Sequence, residues 1–230
     1  MATVSKRAQN RAAMESEIRR LGREHLRTQG AAGLSLRAIA RDLGVVSSAV
    51  YRYVPSRDDL LTMLLVEAYT DVADAVDSAL DASDPDRPRE RLTAAVRALR
   101  AWAVDDPSRW ALLYGSPVPG YAAPAEATVA PGTRVVATLI GEVAAAEARG
   151  LLDAHDIVVT GALTLEFDVI RSEFGSPISD AALVVATTIW ATTIGAISLE
   201  VFGQYGADTF ADPRQLFEAQ IARALSALRN

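Results

Sequence analysis

Residues 35–60 read SLRAIARDLGVVSSAVYRYVPSRDDL. Leu36, Ile39, Ala40 and Leu43 fall at the i, i+3, i+4, i+7 spacing of one buried helix face. Gly44 follows at once, where glycine can take the left-handed conformation that ends a helix. A second apolar set, Ala49, Val50, Val54 and the ring of Tyr51, leaves Ser47, Ser48 and Arg52 on the outer side. Two short helices joined by a glycine-containing turn form a helix-turn-helix, whose second helix enters the DNA major groove.

The charge distribution around this stretch agrees with a nucleic-acid partner. The net charge of −6 taken alone argues against one. However, residues 1–60 hold 11 Lys+Arg against 6 Asp+Glu, while residues 61–230 hold 12 against 23. A basic head on an acidic body is the asymmetry expected when only the head meets phosphate. Cysteine is absent, which excludes disulfides and thiolate metal sites and fits a cytoplasmic location. Residues 1–20 carry no apolar core of a secretory signal.

Gly33, Ser35, Ile39-Ala40, Leu43-Gly44-Val45, Tyr51-Arg52-Tyr53, Arg57 and Leu60-Leu61 together resemble the signature of the TetR family of bacterial transcriptional regulators. The resemblance is specific over about residues 15–62. A weaker local match at 190–200, WATTIGAISLE, looks like the Trp…Gly…Leu-Glu pattern of one subgroup's ligand-domain helix. Many members carry Ser or Thr at the position of Val46, where it caps the recognition helix; here Ser47 is the candidate cap. The resemblance implies a homodimer that binds operator DNA and responds to a small-molecule effector, with no catalytic residue, cofactor or metal.

Punctuation along the chain predicts an all-α fold of about nine helices, with a head at 1–60 and a ligand-binding and dimerisation body at 61–230. Residues 1–12 read as a mobile basic arm, with Lys6, Arg7 and Arg11 available to phosphate or the minor groove. A first helix over 13–29 follows. Ser35 is the expected N-cap of the second helix, and Ser56 with Asp59 forms a capping box opening a long fourth helix. Asp106-Pro107 and Asp212-Pro213 are cap-plus-proline helix starts. Further helices are expected over 125–149, 153–174 and 179–202, and a last one to residue 228. Residues 181–199 hold no charge. Their length is near the minimum for a membrane span, but five Ser/Thr residues dilute them and no basic residue anchors the flanks. A helix buried on every side, between its own core and a partner subunit, fits this composition. The dimer is therefore expected through helices at about 179–203 and 212–228.

The candidate DNA-binding residues are Ser35, Arg37, Val46, Ser47, Ser48, Tyr51, Arg52, Tyr53 and Arg57. Serine hydroxyls bond bases or phosphates, and Arg57 is expected to hold a phosphate at the start of the fourth helix. The competing reading has Ser47 and Ser48 only capping the helix and Tyr51 packing inward. Of 14 aromatic residues, 12 lie after residue 60. Trp102, Trp110, Tyr114, Tyr121, Phe167 and Trp190, with Thr164, Glu166, Arg171 and Thr193 as polar handles, are the candidate effector wall, against ordinary core packing. Arg171, if inward, would favour an anionic group on a largely apolar effector. Asp153, His155 and Asp156 read as caps of a helix start rather than metal ligands. A rival reading is a helical small-molecule-binding or enzymatic body with a vestigial head.

Overall fold

The computed structural model describes residues 6–206 and 208–230. Among the described residues, the chain forms ten α-helices and no named strand: α1 (Lys6–Gln29), α2 (Leu36–Asp42), α3 (Ser47–Tyr51), α4 (Arg57–Asp81), α5 (Pro88–Asp105), α6 (Pro107–Tyr114), α7 (Ala125–Ala148), α8 (Ala162–Phe174), α9 (Asp180–Val201) and α10 (Pro213–Ala224). The all-α expectation is met, with one helix more than expected.

The helix starts follow the sequence signals. Ser35 Oγ accepts from the Ala38 amide, and Asp106 and Asp212 cap α6 and α10 ahead of their prolines. Ser56 Oγ accepts from the Asp59 amide at 3.1 Å, the first half of the expected capping box, and the Asp59 carboxylate accepts from the Ser56 hydroxyl at 2.6 Å instead of from its backbone N–H. Gly44 sits at φ +69 between α2 and α3, the left-handed conformation that a side chain would oppose.

Three boundaries differ from expectation. The first helix begins at Lys6, seven residues early, so the described part of the supposed arm is helical; residues 1–5 lie outside the described residues. Its composition explains this: KRAQNRAA is rich in good helix formers, and Arg11 pairs with Glu15 one turn on at 2.9 Å. Second, α8 begins at Ala162 rather than 153. Residues 151–153 are drawn instead into extended pairing with the chain's end, where Leu152 bridges Leu228, Asp153 N–H donates to Ala227 O at 2.7 Å and Arg229 N–H to Leu151 O at 2.8 Å. Asp153, His155 and Asp156 therefore cap no helix, and Asp153 pairs with Arg229. Third, the same return of the chain ends α10 at Ala224, short of 228.

The described residues fall into two compact units, Met1–Thr70 with Asp106–Gly132, and Asp71–Asp105 with Thr133–Asn230. The first is built on Ile18, Leu26, Leu36, Ile39, Val50 and Leu60, all almost fully buried. At about 1.5–3 kcal/mol per buried aliphatic side chain, this is an ample driving force for a small head. Two polar links cross it. His25, 5% exposed on α1, meets Asp42 Oδ2 on α2 at 2.7 Å, and Arg23 on α1 pairs with Glu67 on α4.

In the second unit α9 packs against α5 and α10, burying Leu183, Ile189 and Ile197 against a core that includes Leu99 and Ile221. Arg100 on α5 grips Glu200 on α9 with two guanidinium nitrogens, and Arg91 does the same to Glu142 on α7 at 2.8 Å. Both α7 and α9 are long and apolar enough to cross a membrane. α9 is one-sided in this unit, however: Thr187, Thr188, Ala191 and Gly195 form an uncovered stripe of small residues.

Candidate nucleic-acid interface

The recognition element is short, five residues, and its orientation follows from burial. Val50 and Val54 are fully buried and pin α3 to the core of its unit. That leaves Val46 70% exposed and Tyr51 41% exposed, with Ser48 and Arg52 also outward. The inward reading of Tyr51 is thereby corrected, because Val50 and Val54 already fill the space beneath the helix. Val46, not Ser47, occupies the N-cap, with no side-chain hydrogen bond to the helix. Ser47 is the first helical residue and half-buried. α3 thus presents hydroxyls, an aromatic ring and a guanidinium on one face, groups that bond phosphates and base edges.

The flanking candidates divide. Arg37 is exposed at the start of α2, and Ser35 is occupied in part by its cap. Tyr53 is half-buried against the core, with the Arg11 guanidinium 5.7 Å from its ring centroid. Arg57 turns back on its own unit, donating to the carbonyls of Ala31, Ala32 and Leu34. Sequence reasoning missed this, and missed His25–Asp42. Yet His25 extends the Ile18, Leu21 stripe at i+7 and i+4, so its inward position was readable. The hydrogen bond to His25, more than the desolvation opposing it, holds the Asp42 carboxyl below its ordinary value.

The effector candidates also divide between the units. In the first, the rings of fully buried Trp110 and half-buried Tyr114 lie 4.4 Å apart. Burial pushes the Tyr114 phenol up, with a smaller contribution from Tyr69. Tyr69 is itself raised by burial and, secondarily, by Tyr121. Tyr121 Oη meets Thr62 Oγ1 at 2.9 Å. Three phenols and an indole therefore form one neighbourhood beside α4. Thr62 and Tyr69 were missed, although their spacing of seven puts them on one helix face.

In the second unit Trp102 and Trp190 are half-buried and Phe167 is buried. Thr193 is fully buried and donates to Ile189 O within its own helix at 2.7 Å. Thr164 is half-buried and Glu166 exposed on α8. Arg171 is engaged in ion pairs: it bonds Asp168 at 2.9 Å, Asp180 at 2.9 Å and the Ile178 carbonyl at 3.1 Å, fastening α8 to the start of α9. Asp180 is held below its ordinary value by Thr164 and then Arg171. A separate open cavity of about 900 Å³ lies between the 153–157 segment, α9 and α10, lined by His155, Thr188, Gln220 and Arg223 among others. None of the sequence-predicted effector residues lines it.

Comparison with known proteins agrees with this arrangement at both ends. Residues 18–64 match the family described as "Bacterial regulatory proteins, tetR family", and residues 92–224 match "Tetracyclin repressor-like, C-terminal domain". The chain is 53% identical over 217 residues to the HTH-type transcriptional regulator Rv1816 of Mycobacterium tuberculosis, spanning 94% of this chain and 93% of that one. HTH-type transcriptional regulator Mb1846 of Mycobacterium bovis matches at the same identity and coverage. Among solved structures, the regulatory protein SCO4313 superposes with a TM-score of 0.79 at 33% identity, covering 96% of this chain and all of that one. A tetR-family regulatory protein from Rhodococcus RHA1, at 17% identity and TM-score 0.63 over 94% and 96% of the two chains, shares the fold. An enzymatic body on a vestigial head finds no support in these matches, which cover the body as well as the head. The chain belongs to the TetR family of bacterial transcriptional regulators.

Proposed function

We propose that this regulator acts as a homodimeric repressor, binding a pseudo-palindromic operator through α2 and α3 and leaving it when a small, largely apolar effector binds. The functional division falls at about residue 60, with DNA binding before it and effector binding and dimerisation after it. The observation that carries the reading is the outward face of α3: Val46, Ser48, Tyr51 and Arg52 are exposed, while Val50 and Val54 supply the core. A two-fold dimer presents two such helices to half-sites roughly 34–36 Å apart or a multiple of that. The dimer is assigned to α9 and α10. The small-residue stripe on α9 supports this, since such a face allows close helix approach and an isologous four-helix interface would cover it. Covering it there also accounts for the apolar character of α9 without a membrane and agrees with a cytoplasmic protein.

The effector is assigned to the aromatic neighbourhood of Tyr69, Trp110, Tyr114 and Tyr121. The half-buried phenols of Tyr69 and Tyr114, which burial moves further from ionisation, suit an uncharged ligand with hydrogen-bonding groups on an apolar frame. Differential affinity of about 1–3 kcal/mol between bound and released states would weaken operator binding 5- to 150-fold. Footprinting on DNA flanking the regulator's own gene tests the proposal. Two protected half-sites related by a dyad are expected; no protected site, with the protein folded, would refute it.

A further inference from the structure

We infer that Arg57 is a positioning residue for the DNA-binding surface, acting through the turn that sets α2, and not a phosphate ligand. This rests on the reading that α2 and α3 meet DNA. Arg57 opens α4, where a free cation would be well placed for an anion. Its guanidinium points elsewhere. Nε donates to Leu34 O at 3.2 Å, and Nη2 donates to Ala31 O at 2.9 Å and Ala32 O at 3.3 Å. Nη1 lies 3.8 Å from Asp58 Oδ1. Three of the five N–H donors of a planar fork are thus committed to backbone carbonyls.

The turn it holds is anchored at one end by the buried Leu34 side chain, and the Gly33 amide donates to Gly30 O at 3.1 Å, but no other side chain bonds its carbonyls among the described residues. It runs from Gly30, at φ +68, through a single turn of 3-10 helix at Ala31–Gly33 to Leu34. The Leu34 amide bonds Ala31 O at a long 3.4 Å. The next residue, Ser35, is the N-cap of α2, and Arg37 lies in its first turn. Holding the carbonyls on both sides of Gly33 fixes where α2 begins, hence where Ser35 and Arg37 stand. Only the two Nη1 donors are left for an anion, and the Asp58 carboxylate lies 3.8 Å from that nitrogen, so a phosphate that drew the whole guanidinium away would loosen the turn. Lysine could supply the charge, but its single ammonium cannot span three carbonyls spread over four residues.

The test uses the full-length protein and the duplex it enriches from a random-sequence library. Operator and non-specific affinity are measured for wild type, Arg57→Lys and Arg57→Ala across a salt series. Positioning predicts that Arg57→Lys loses operator affinity by about 10- to 100-fold, the scale of one charge-assisted hydrogen bond. It also predicts unchanged non-specific binding and the wild-type salt slope in both variants. Amide exchange should quicken at Leu34 and Ala38 and not elsewhere in the head. A phosphate contact predicts that Arg57→Lys binds the operator like wild type, or that Arg57→Ala flattens the slope by about 0.9 per subunit; either result overturns the inference. If Arg57→Ala does not fold, Arg57→Lys decides alone. Wild-type protein that enriches no duplex would instead refute the DNA-binding reading itself.

Discussion

Tyr51 and Asp42 carry the two residue-scale lessons of the head. Tyr51 belongs by spacing to the apolar set of α3, and only the space beneath the helix settles its direction. Val50 and Val54 occupy that space, so the ring stands out. Asp42, at the end of α2, has its partner 17 residues earlier on another helix, and no local spacing marks it. Because His25 depresses the folded-state pKa of Asp42, the carboxylate contributes stability above its unfolded value and loses it as pH falls through the carboxylate range. Thermal melts of the wild type should therefore fall in midpoint between about pH 5 and pH 3. Asp42→Asn should lower the midpoint at neutral pH and show less of that acid dependence. An unchanged acid profile in the variant would show that the pair contributes nothing to the head.

Elements were legible wherever a short-range signal fixes a boundary. Caps at Ser35, Ser56, Asp106 and Asp212 and the turn at Gly44 were readable because each acts within three or four residues. The late start of α8 and the early end of α10 were not. Their cause is pairing between residues 151–153 and 227–229, a long-range contact with no local mark. Two element-scale tests follow. Ser56→Ala removes the capping box of α4 and should cost about 1 kcal/mol in denaturant unfolding; no measurable loss would mean that Asp59 alone serves the helix start. Glu200→Ala strands Arg100, which is largely buried on α5, and should cost about 3–5 kcal/mol. That Glu200 lies in the local Trp…Gly…Leu-Glu pattern was visible in sequence; that it clamps α9 to α5 was not.

At the scale of the whole molecule, the charge asymmetry and the charge-free run of α9 were both in the sequence, but only packing tells core from interface and shows which face of α9 is left uncovered. Ile197, apolar and central in the charge-free helix, is fully buried within its own unit, so a charge there would unfold the protein. Ala191 lies on the exposed stripe. Ala191→Asp should leave helicity and melting of the protomer intact while shifting the sedimentation mass from dimer to monomer and abolishing tight operator binding. A dimer of wild-type stability in that variant would place the interface elsewhere.

The central claim is that the outward face of α3 reads DNA for a dimeric regulator. Titrating a labelled self-selected duplex with wild-type protein and with Tyr51→Ala, from roughly 50 to 200 mM salt, tests it most directly. The account predicts a linear fall of log affinity with log salt for both proteins. It also predicts a loss of about 1–3 kcal/mol in discrimination between operator and random DNA for Tyr51→Ala if the ring meets a base. Wild-type binding that shows no salt dependence, or no preference for the selected duplex over random DNA, would contradict it.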